Sequence, residues 1–325
     1  MTHDTSPAKP VAAPHSSSSR PVYYALGANF AVAIAKMVGW GLTGSGTMLA
    51  EGLHSMADTG NQGLLLLGLR QGKKPPSVRH PLGQGRAIYF WSFIVALMLF
   101  SLGGLLSIYE GVHRLQQPVE LESVGIAIAI LVFAVIAEAI SLRTAVHEIN
   151  TVRRGRSYWH WFRESRRSAL IIVAAEDSAA LLGLTIALLA VLATYFTGNS
   201  LYDALGSIAI GVLLVGVAIT VSIQIKSLLV GESAAPHVRE ALAQFFASQP
   251  EIREVQALIT LQQGDEVIVM LQAQLREAAT PQALLADMKR CEDKLLAAFP
   301  QVQRLGFEPA LSSGPVAQQP RPLSP

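Results

Sequence analysis

The chain contains little cysteine and little charge, and both shortages limit what it can be. Its 325 residues include one cysteine, Cys291, which excludes an intrachain disulfide and a cysteine zinc cluster. Charged residues make up 15% of the chain, against about 25% in a typical soluble domain. The formal net charge is only +2, so no overall basic character indicates a nucleic-acid partner. Hydrophobic residues reach 51%, which excludes a disordered or fibrous chain and indicates a membrane protein with a soluble part.

The two ends of the chain have the least apolar character. Residues 1–20 are rich in Pro and Ser, and residues 310–325 in Pro, Ser and Gln. Such segments cannot build a packed core, so we expect a disordered tail at each end. Residues 1–20 contain no apolar segment followed by a cleavage pattern, and a secretory signal peptide is therefore not expected.

Between the tails lie six long apolar stretches. Each has about the 20 residues that a helix needs to cross a hydrocarbon core. Lipid offers no partners to backbone groups, so spanning segments form helices. The sequence therefore predicts a mostly helical membrane protein with a six-helix transmembrane domain over residues 21–228. The six predicted spans are residues 22–42, 47–69, 88–111, 124–146, 169–196 and 201–225.

Positive charge is concentrated in alternate loops. Arginine and lysine cluster at residues 70–86 and 153–167, whereas residues 44–46 and 198–200 contain neither. The positive-inside rule then places both termini in the cytoplasm, and an even number of spans agrees. The sequence thus predicts an integral, multi-pass protein in contact with the lipid bilayer.

After the sixth stretch the pattern becomes that of a soluble domain. Two segments have helical periodicity and three have the composition of strands. The order helix, strand, strand, helix, strand predicts a small cytoplasmic α+β domain over residues 229–309, with helices on one sheet face. The predicted helices are residues 236–249 and 280–299, and the predicted strands are residues 254–262, 266–275 and 302–307.

The second stretch carries five polar residues where lipid is expected. At 100° per residue they fall within an arc of roughly 100°, so this helix has one polar stripe and an apolar remainder. A charge at the bilayer centre costs at least about 2.5–3.5 kcal/mol. The stripe therefore predicts a water-filled path, a bound ion or partner helices. Its members are Glu51, His54, Asp58, Asn61 and Gln62.

Two residues of this stripe have the spacing of metal ligands. His54 and Asp58 are four residues apart, so their side chains meet on adjacent turns. A neutral imidazole with a carboxylate suits a divalent transition metal. A structural hydrogen bond between them is the other interpretation of this spacing. Inside a membrane we favour the ligand interpretation, because ionisable residues there are costly without a function.

The fifth stretch supplies a second candidate pair, Glu176 and Asp177. Adjacent residues on a helix point about 100° apart, so both face one cleft only obliquely. The alanines on either side permit close approach of another helix. Pairing with arginine or with backbone donors is the alternative. Two neighbouring acids near mid-span favour metal ligation.

Other polar residues of the stretches are assigned supporting roles. Glu138 in the fourth stretch is interpreted as a group that supports ligands, carries protons or pairs with Lys36, rather than as a direct ligand. Asn29 and Lys36 share a face of the first stretch and are interpreted as interhelical contacts. Asp203 opens the sixth stretch as an N-cap or first-turn acid.

Several short motifs at these places carry a family resemblance. They are His54-Ser55-Met56-Ala57-Asp58, His80-Pro81-Leu82-Gly83-Gln84-Gly85-Arg86, Tyr89-Phe90-Trp91-Ser92, Asp177 and Leu228-Leu229-Val230-Gly231-Glu232. Through them residues 22–308 resemble the cation diffusion facilitator family, and the Glu-Asp-Ser-Ala-Ala run at 176–180 resembles its zinc transporter 9-like subgroup. The resemblance implies six spans, a ferredoxin-like cytoplasmic domain and a homodimer in which these domains pair.

The resemblance also implies a tetrahedral transport site, with two ligands from the second span and two from the fifth. His54 and Asp58 match the first pair, and Asp177 matches one member of the second. The other member falls on Val173, so Glu176 or a water molecule takes its place. Two further sites of some members are eroded, which leaves one principal metal site per subunit. The eroded positions are His80 with Ser77 and Gln84, and Glu308 with Gln272 and Gly306.

These features predict a divalent-metal efflux transporter that exchanges metal for protons by alternating access. Metal binding requires neutral His54 and ionised acids, so metal and protons compete. No prosthetic group is expected; the transported substrate is Zn²⁺, or Fe²⁺, Co²⁺ or Mn²⁺. The alternative, which Val173 keeps open, is a non-transporting scaffold or metal-sensing subunit that acts through its cytoplasmic domain. An enzyme is not expected, because no nucleophile–base set is present.

Overall fold

The computed structural model describes most of the chain. It covers residues 46–117, 124–153, 155–277 and 279–310, together with helical positions between 26 and 38. At residues 46–55 and 57 it describes the backbone alone. The tail predicted at 1–20, residues 311–325, and the side chains of Asn29 and Lys36 lie outside the described residues. The described chain divides into two compact units, one ending at Val230 and the other beginning at Gly231.

Long helices build the first unit. Within the described residues, four helical runs are long and apolar enough to cross a membrane: Ala87–Gln116, Ile128–Val152, Ser168–Thr197 and Leu201–Val230. This agrees with the predicted multi-pass membrane protein. The elements in chain order are α1 Gly46–Gly72, α2 Ala87–Met98, a π-helical turn Leu99–Leu105, α3 Leu106–Gln116, α4 Val124–Val152, α5 Tyr158–Glu164, α6 Ser168–Thr197 and α7 Leu201–Val230.

Helix α1 corresponds to the second apolar stretch and is not one of these four runs. Its polar stripe lowers its average hydropathy below that of the other long helices. The first stretch is described only at scattered helical positions between 26 and 38. The count of six spans therefore stays a prediction.

The third and sixth stretches approach each other closely along glycines. A Cβ atom added to Gly211 on α7 would lie 2.7 Å from the carbonyl oxygen of Gly104 in the π-helical turn. A Cβ atom added to Gly111 on α3 would lie 2.8 Å from the carbonyl oxygen of Ala204. Small residues at such an interface let two helix backbones meet, which strengthens packing in a membrane.

An ion pair joins the same two helices at their ends. Arg114 in the last turn of α3 pairs with Asp203 in the first turn of α7, and its Nε atom lies 2.9 Å from a carboxylate oxygen of Glu110. Of the two roles predicted for Asp203, N-cap or first-turn acid, the structure shows the first-turn acid. The capping contact comes from Asn199, whose Oδ1 accepts a hydrogen bond from the backbone N–H of Leu201.

The short helix α5 between α4 and α6 was not predicted. Ser157 caps it by accepting a hydrogen bond from the backbone N–H of His160. Trp161 on its inner face is buried against Ile149 of α4 and Ile171 of α6. About two turns of helix leave too little periodicity to be seen in the sequence.

The second unit is a small mixed-sheet domain. Strand β2 lies in the middle of the order β1-β2-β3, antiparallel to β1 and parallel to β3. Alternate residues of β2, such as Val269 and Leu271, are buried against Leu242 and Leu295 of the helices. The predicted order of helices and strands is confirmed, and the ferredoxin-like fold stays a prediction. The elements are α8 Pro236–Ala247, β1 Ile252–Gln263, β2 Glu266–Leu275, α9 Pro281–Ala298 and β3 Val302–Pro309.

The glycine contact makes a first testable prediction. Gly211→Ala places a methyl group against the backbone of the π-helical turn, and we expect it to destabilise the purified protein by about 1–3 kcal/mol. The measurement is the thermal unfolding midpoint in detergent. The matched control is Gly216→Ala on the same helix, where an added Cβ has no neighbour within 4 Å. Equal midpoints for the two variants would contradict the close packing.

A second prediction concerns the pH dependence of the mixed-sheet domain. Glu251 is buried, and its Oε1 atom lies 2.8 Å from Lys294 Nζ and 3.6 Å from Arg290 Nη1. Burial opposes its ionisation, but Lys294 and Arg290 hold the pKa of its carboxyl below the usual value. Such a group stabilises the folded domain above its unfolded pKa of about 4.3 and loses that contribution as the pH falls through the folded value.

We therefore expect Glu251→Gln to lower the protection of β1 and α9 amides from hydrogen exchange at neutral pH in the full-length protein. The difference from the unsubstituted protein should shrink as the pH falls through the lowered pKa of folded Glu251, because both proteins then carry a neutral side chain. Asp293→Asn is the control, because Asp293 is 62% exposed and pairs with Lys289 on its own helix. A difference that grows toward acidic pH would refute this account.

Candidate metal centre

Helix α1 carries the predicted polar stripe on a single continuous helix, Gly46–Gly72. Asp58 is half-buried, whereas Asn61 and Gln62 are buried at 3% and 7% exposure. The side chains of Glu51 and His54 lie outside the described residues. The assignment of His54 as a ligand therefore stays a prediction, and the described part of the site begins at Asp58.

A hydrogen bond joins the stripe to the fifth stretch. The Nδ2 atom of Asn61 on α1 donates to Oε1 of Glu176 on α6 over 3.1 Å. Because adjacent helical residues point in different directions, this bond fixes which of the two neighbouring acids turns toward α1. Glu176 is thus brought to the helix that carries Asp58.

Asp177 is held by a third helix. It is only 8% exposed, and its Oδ2 atom accepts a hydrogen bond of 2.9 Å from Ser141 Oγ on α4. The structure therefore brings predicted ligands of α1 and α6 into one region that α4 also lines. The role of Ser141 was not predicted, although it follows Glu138 by three residues and so shares a helix face with it.

The electrostatics of this region are dominated by acids. The charge of Asp58 acts on both Glu176 and Asp177, and the charge of Glu138 acts on Glu176. The described groups with the largest effect on Glu176 include Asp58, Asp177 and Glu138 together with the hydrogen bond from Asn61. Like charges in a buried region repel and lack solvation, so such a group of acids needs protons or a bound cation.

The described side chains do not by themselves close around an ion. Among them, no three His, Cys, Asp or Glu residues are close enough to hold a metal together. His54 is not part of that set, since its side chain is outside the described residues. The ligand set His54, Asp58, Glu176 and Asp177 stays a prediction.

Val173, where the family resemblance places a metal ligand, lies among apolar residues. Val173 on α6 packs against a cluster that includes Tyr89 and Ile172. A valine there fills space among hydrocarbon groups and offers no electron pair to a metal. The fourth donor of a tetrahedral site must therefore come from another residue or from water.

The two eroded positions have ordinary structural contacts. The backbone N–H of His80 donates to Ser77 Oγ over 3.1 Å, within a loop that also bonds Ser77 N–H to the His80 carbonyl. Gln272 lies opposite Glu308 in the parallel β2–β3 pair, and its amide donates to the Glu308 carboxylate over 3.4 Å. Neither arrangement adds a metal site within the described residues.

Comparison with known proteins identifies relatives of this chain. The family model described as "Cation efflux transmembrane domain" matches residues 22–230. The "Proton-coupled zinc antiporter SLC30A9, mitochondrial" of Xenopus laevis is 36% identical over 222 residues, which make up 68% of this chain and 40% of that protein. The Homo sapiens protein of the same name is 36% identical over 222 residues, or 68% of this chain and 39% of that protein.

A bacterial relative matches over a larger share of both chains. The "Zinc transporter ZitB" of Escherichia coli (strain K12) is 25% identical over 275 residues, which make up 84% of this chain and 82% of that protein. The chain thus spans about 40% of the length of the two vertebrate relatives and most of the bacterial one.

The contact between Ser141 and Asp177 makes a third prediction. Ser141→Ala removes the donor that orients the carboxylate, and loss of such a supporting hydrogen bond typically weakens metal binding about 10–100-fold. We expect a loss of about tenfold in Zn²⁺ affinity, measured by calorimetry on the purified protein. Thr144→Ala is the control, because Thr144 lies on the same helix and bonds the carbonyl of Ile140 instead. Equal affinities of the two variants would show that Asp177 is not oriented by Ser141.

Proposed function

Because the chain belongs to the cation efflux, or cation diffusion facilitator, family and resembles its zinc transporter 9-like members, we propose that it exports divalent transition-metal ions in exchange for protons, with Zn²⁺ as the main substrate. The family consists of transporters rather than enzymes. The observation that carries the proposal is the meeting of acids from two helices. Asp58 of α1 acts electrostatically on both Glu176 and Asp177 of α6, and Asn61 bonds Glu176.

The proposed ligands are His54 and Asp58 on α1 and Asp177 and Glu176 on α6. An imidazole nitrogen with carboxylate oxygens suits Zn²⁺ and also accepts Fe²⁺, Co²⁺ and Mn²⁺. The metal is the transported substrate, and no prosthetic group takes part. The names of the relatives, two zinc antiporters and a zinc transporter, support Zn²⁺ as the first candidate.

Exchange for protons follows from the chemistry of the buried acids. A metal binds to ionised carboxylates and a neutral imidazole, so each binding event releases protons. Once the metal leaves, an empty and fully ionised group of buried acids is unfavourable, because the charges repel one another in a poorly solvated region. Protons then replace the metal, and the site returns loaded with protons. The relatives named as proton-coupled antiporters support this cycle.

The proposed architecture completes the family pattern. It has six spans in a domain over residues 21–228, cytoplasmic termini, and a ferredoxin-like domain over residues 229–309. The basic loops and the mixed sheet support this arrangement. We further propose a homodimer that pairs through the cytoplasmic domains. Ile259 and Met270, directly opposite each other in the β1–β2 register, are 54% and 49% exposed, and an apolar pair on an open sheet face suits such a contact.

The alternative of a non-transporting scaffold or metal sensor has less support. A scaffold has no need for several carboxyl groups buried between helices, and keeping them there is costly. Apolar residues would pack the same helices at no such cost. The hydrogen bonds to Glu176 and Asp177 orient both carboxyl groups, which supports a role as metal ligands.

Metal flux into proteoliposomes under an imposed proton gradient tests the proposal. We expect Asp58→Ala and Asp177→Ala each to abolish Zn²⁺ flux, since each removes a charged ligand from the site. Asp293→Ala, an exposed acid of the cytoplasmic domain, is the control and should transport normally. Folding of each variant is checked by its elution from size-exclusion chromatography. Normal flux in both site variants would show that the site is assigned wrongly.

A further inference from the structure

We infer that Asn61 is a specificity-determining residue of the proposed metal site. Its amide oxygen is an additional ligand, and its amide nitrogen presents Glu176 to the same ion. Together these two residues replace the donor that Val173 does not supply. The inference rests on the proposed function and adds to it a neutral oxygen donor from outside the predicted ligand set.

The position of Asn61 is the first observation. It follows Asp58 by three residues on α1, so both side chains lie on one helix face. It is 3% exposed, and its Nδ2 atom is bound to Glu176 over 3.1 Å. An amide anchored through its nitrogen cannot turn freely, and its oxygen is therefore held near Glu176.

The state of that oxygen is the second observation. In the described part of the chain, Asn61 Oδ1 is buried and finds no hydrogen-bond donor. A buried acceptor without a partner is unfavourable, and in native proteins such an atom commonly marks a water or ion site. Exchanging the amide nitrogen and oxygen does not remove the problem, because the nitrogen would then be the buried atom without a partner. A cation satisfies the amide oxygen and the carboxylates at once.

The neighbouring Gln62 serves as an internal comparison. It is also buried, and its Oε1 atom also lacks a partner among the described residues. No hydrogen bond to an acid is found for Gln62 in this part of the chain, and it points about 100° away from Asn61 around α1. The contact with Glu176 therefore distinguishes Asn61 from a residue that merely shares its burial.

The added donor changes which ions the site prefers. Carbonyl and carboxylate oxygens suit Mn²⁺, whereas imidazole nitrogen suits Zn²⁺ more strongly. A site with one imidazole, three carboxyl groups and an amide oxygen is richer in oxygen than the same site without Asn61. Asn61 should therefore extend transport toward Mn²⁺, and removing its oxygen should narrow transport toward Zn²⁺.

The experiment compares Mn²⁺ and Zn²⁺ flux in proteoliposomes for the full-length protein and its Asn61→Leu variant. We expect the ratio of Mn²⁺ to Zn²⁺ flux to fall about tenfold, the size of effect that removing one metal-supporting group typically has. Gln62→Leu is the matched control and should keep the original ratio. An unchanged ratio in Asn61→Leu, with normal Zn²⁺ flux, would overturn the inference.

Two further measurements keep the result interpretable. Asn61→Asp retains an oxygen at the position and should keep or raise the Mn²⁺ to Zn²⁺ ratio, which tests the inference even where Asn61→Leu does not fold; a fall in that variant would overturn it. Proton-dependent flux in the unsubstituted protein, and its loss in Asp58→Ala, tests the proposed function separately. If flux depends on Asp58 but the ratio of Mn²⁺ to Zn²⁺ flux is unchanged in the Asn61 variants, only the role of Asn61 is refuted.

Discussion

Carboxyl groups buried among membrane-spanning helices are the constraint on which the rest of this protein depends. Asp177 is buried and Glu176 is partly buried, and each accepts a hydrogen bond from a different helix, α1 or α4. These neutral donors leave the repulsion from Asp58 and Glu138 in place. Protons or a divalent cation would lower that repulsion. The proposed exchange of metal for protons rests on where these acids lie.

Helix α7 packs closely against α3 and also against α6, the helix that carries Glu176 and Asp177. A Cβ atom added to Gly206 on α7 would lie 2.5 Å from the Cβ atom of Ala190 on α6. Glycines bring α3 and the π-helical turn against α7, and the Arg114–Asp203 ion pair fixes the end of that contact. The proposed metal ligands lie on α1 and α6, and the Ser141 hydroxyl that donates a hydrogen bond to Asp177 lies on α4.

Much of the fold could be predicted because it depends on local composition. Apolar length indicated the long helices, and the strand β2 begins and ends where the alternation of residues placed it. The misses have local causes. Helix α5 is too short to show a period, and α4 continues to Val152, beyond the predicted end at 146, because polar residues such as His147 continue a helix that has left the apolar region. The π-helical turn has no sequence signal beyond its two glycines.

The sequence by itself determined that the apolar helix α1 carries a polar stripe and that α6 carries two adjacent acids. The helical period and the cost of charge in lipid are general rules that need only the order of residues. Only the tertiary structure decided which groups meet. It joined Asn61 to Glu176 and Ser141 to Asp177, although these residues are 115 and 36 positions apart in the chain. Such pairings depend on how helices pack and rotate against one another, and no spacing within a single helix specifies that.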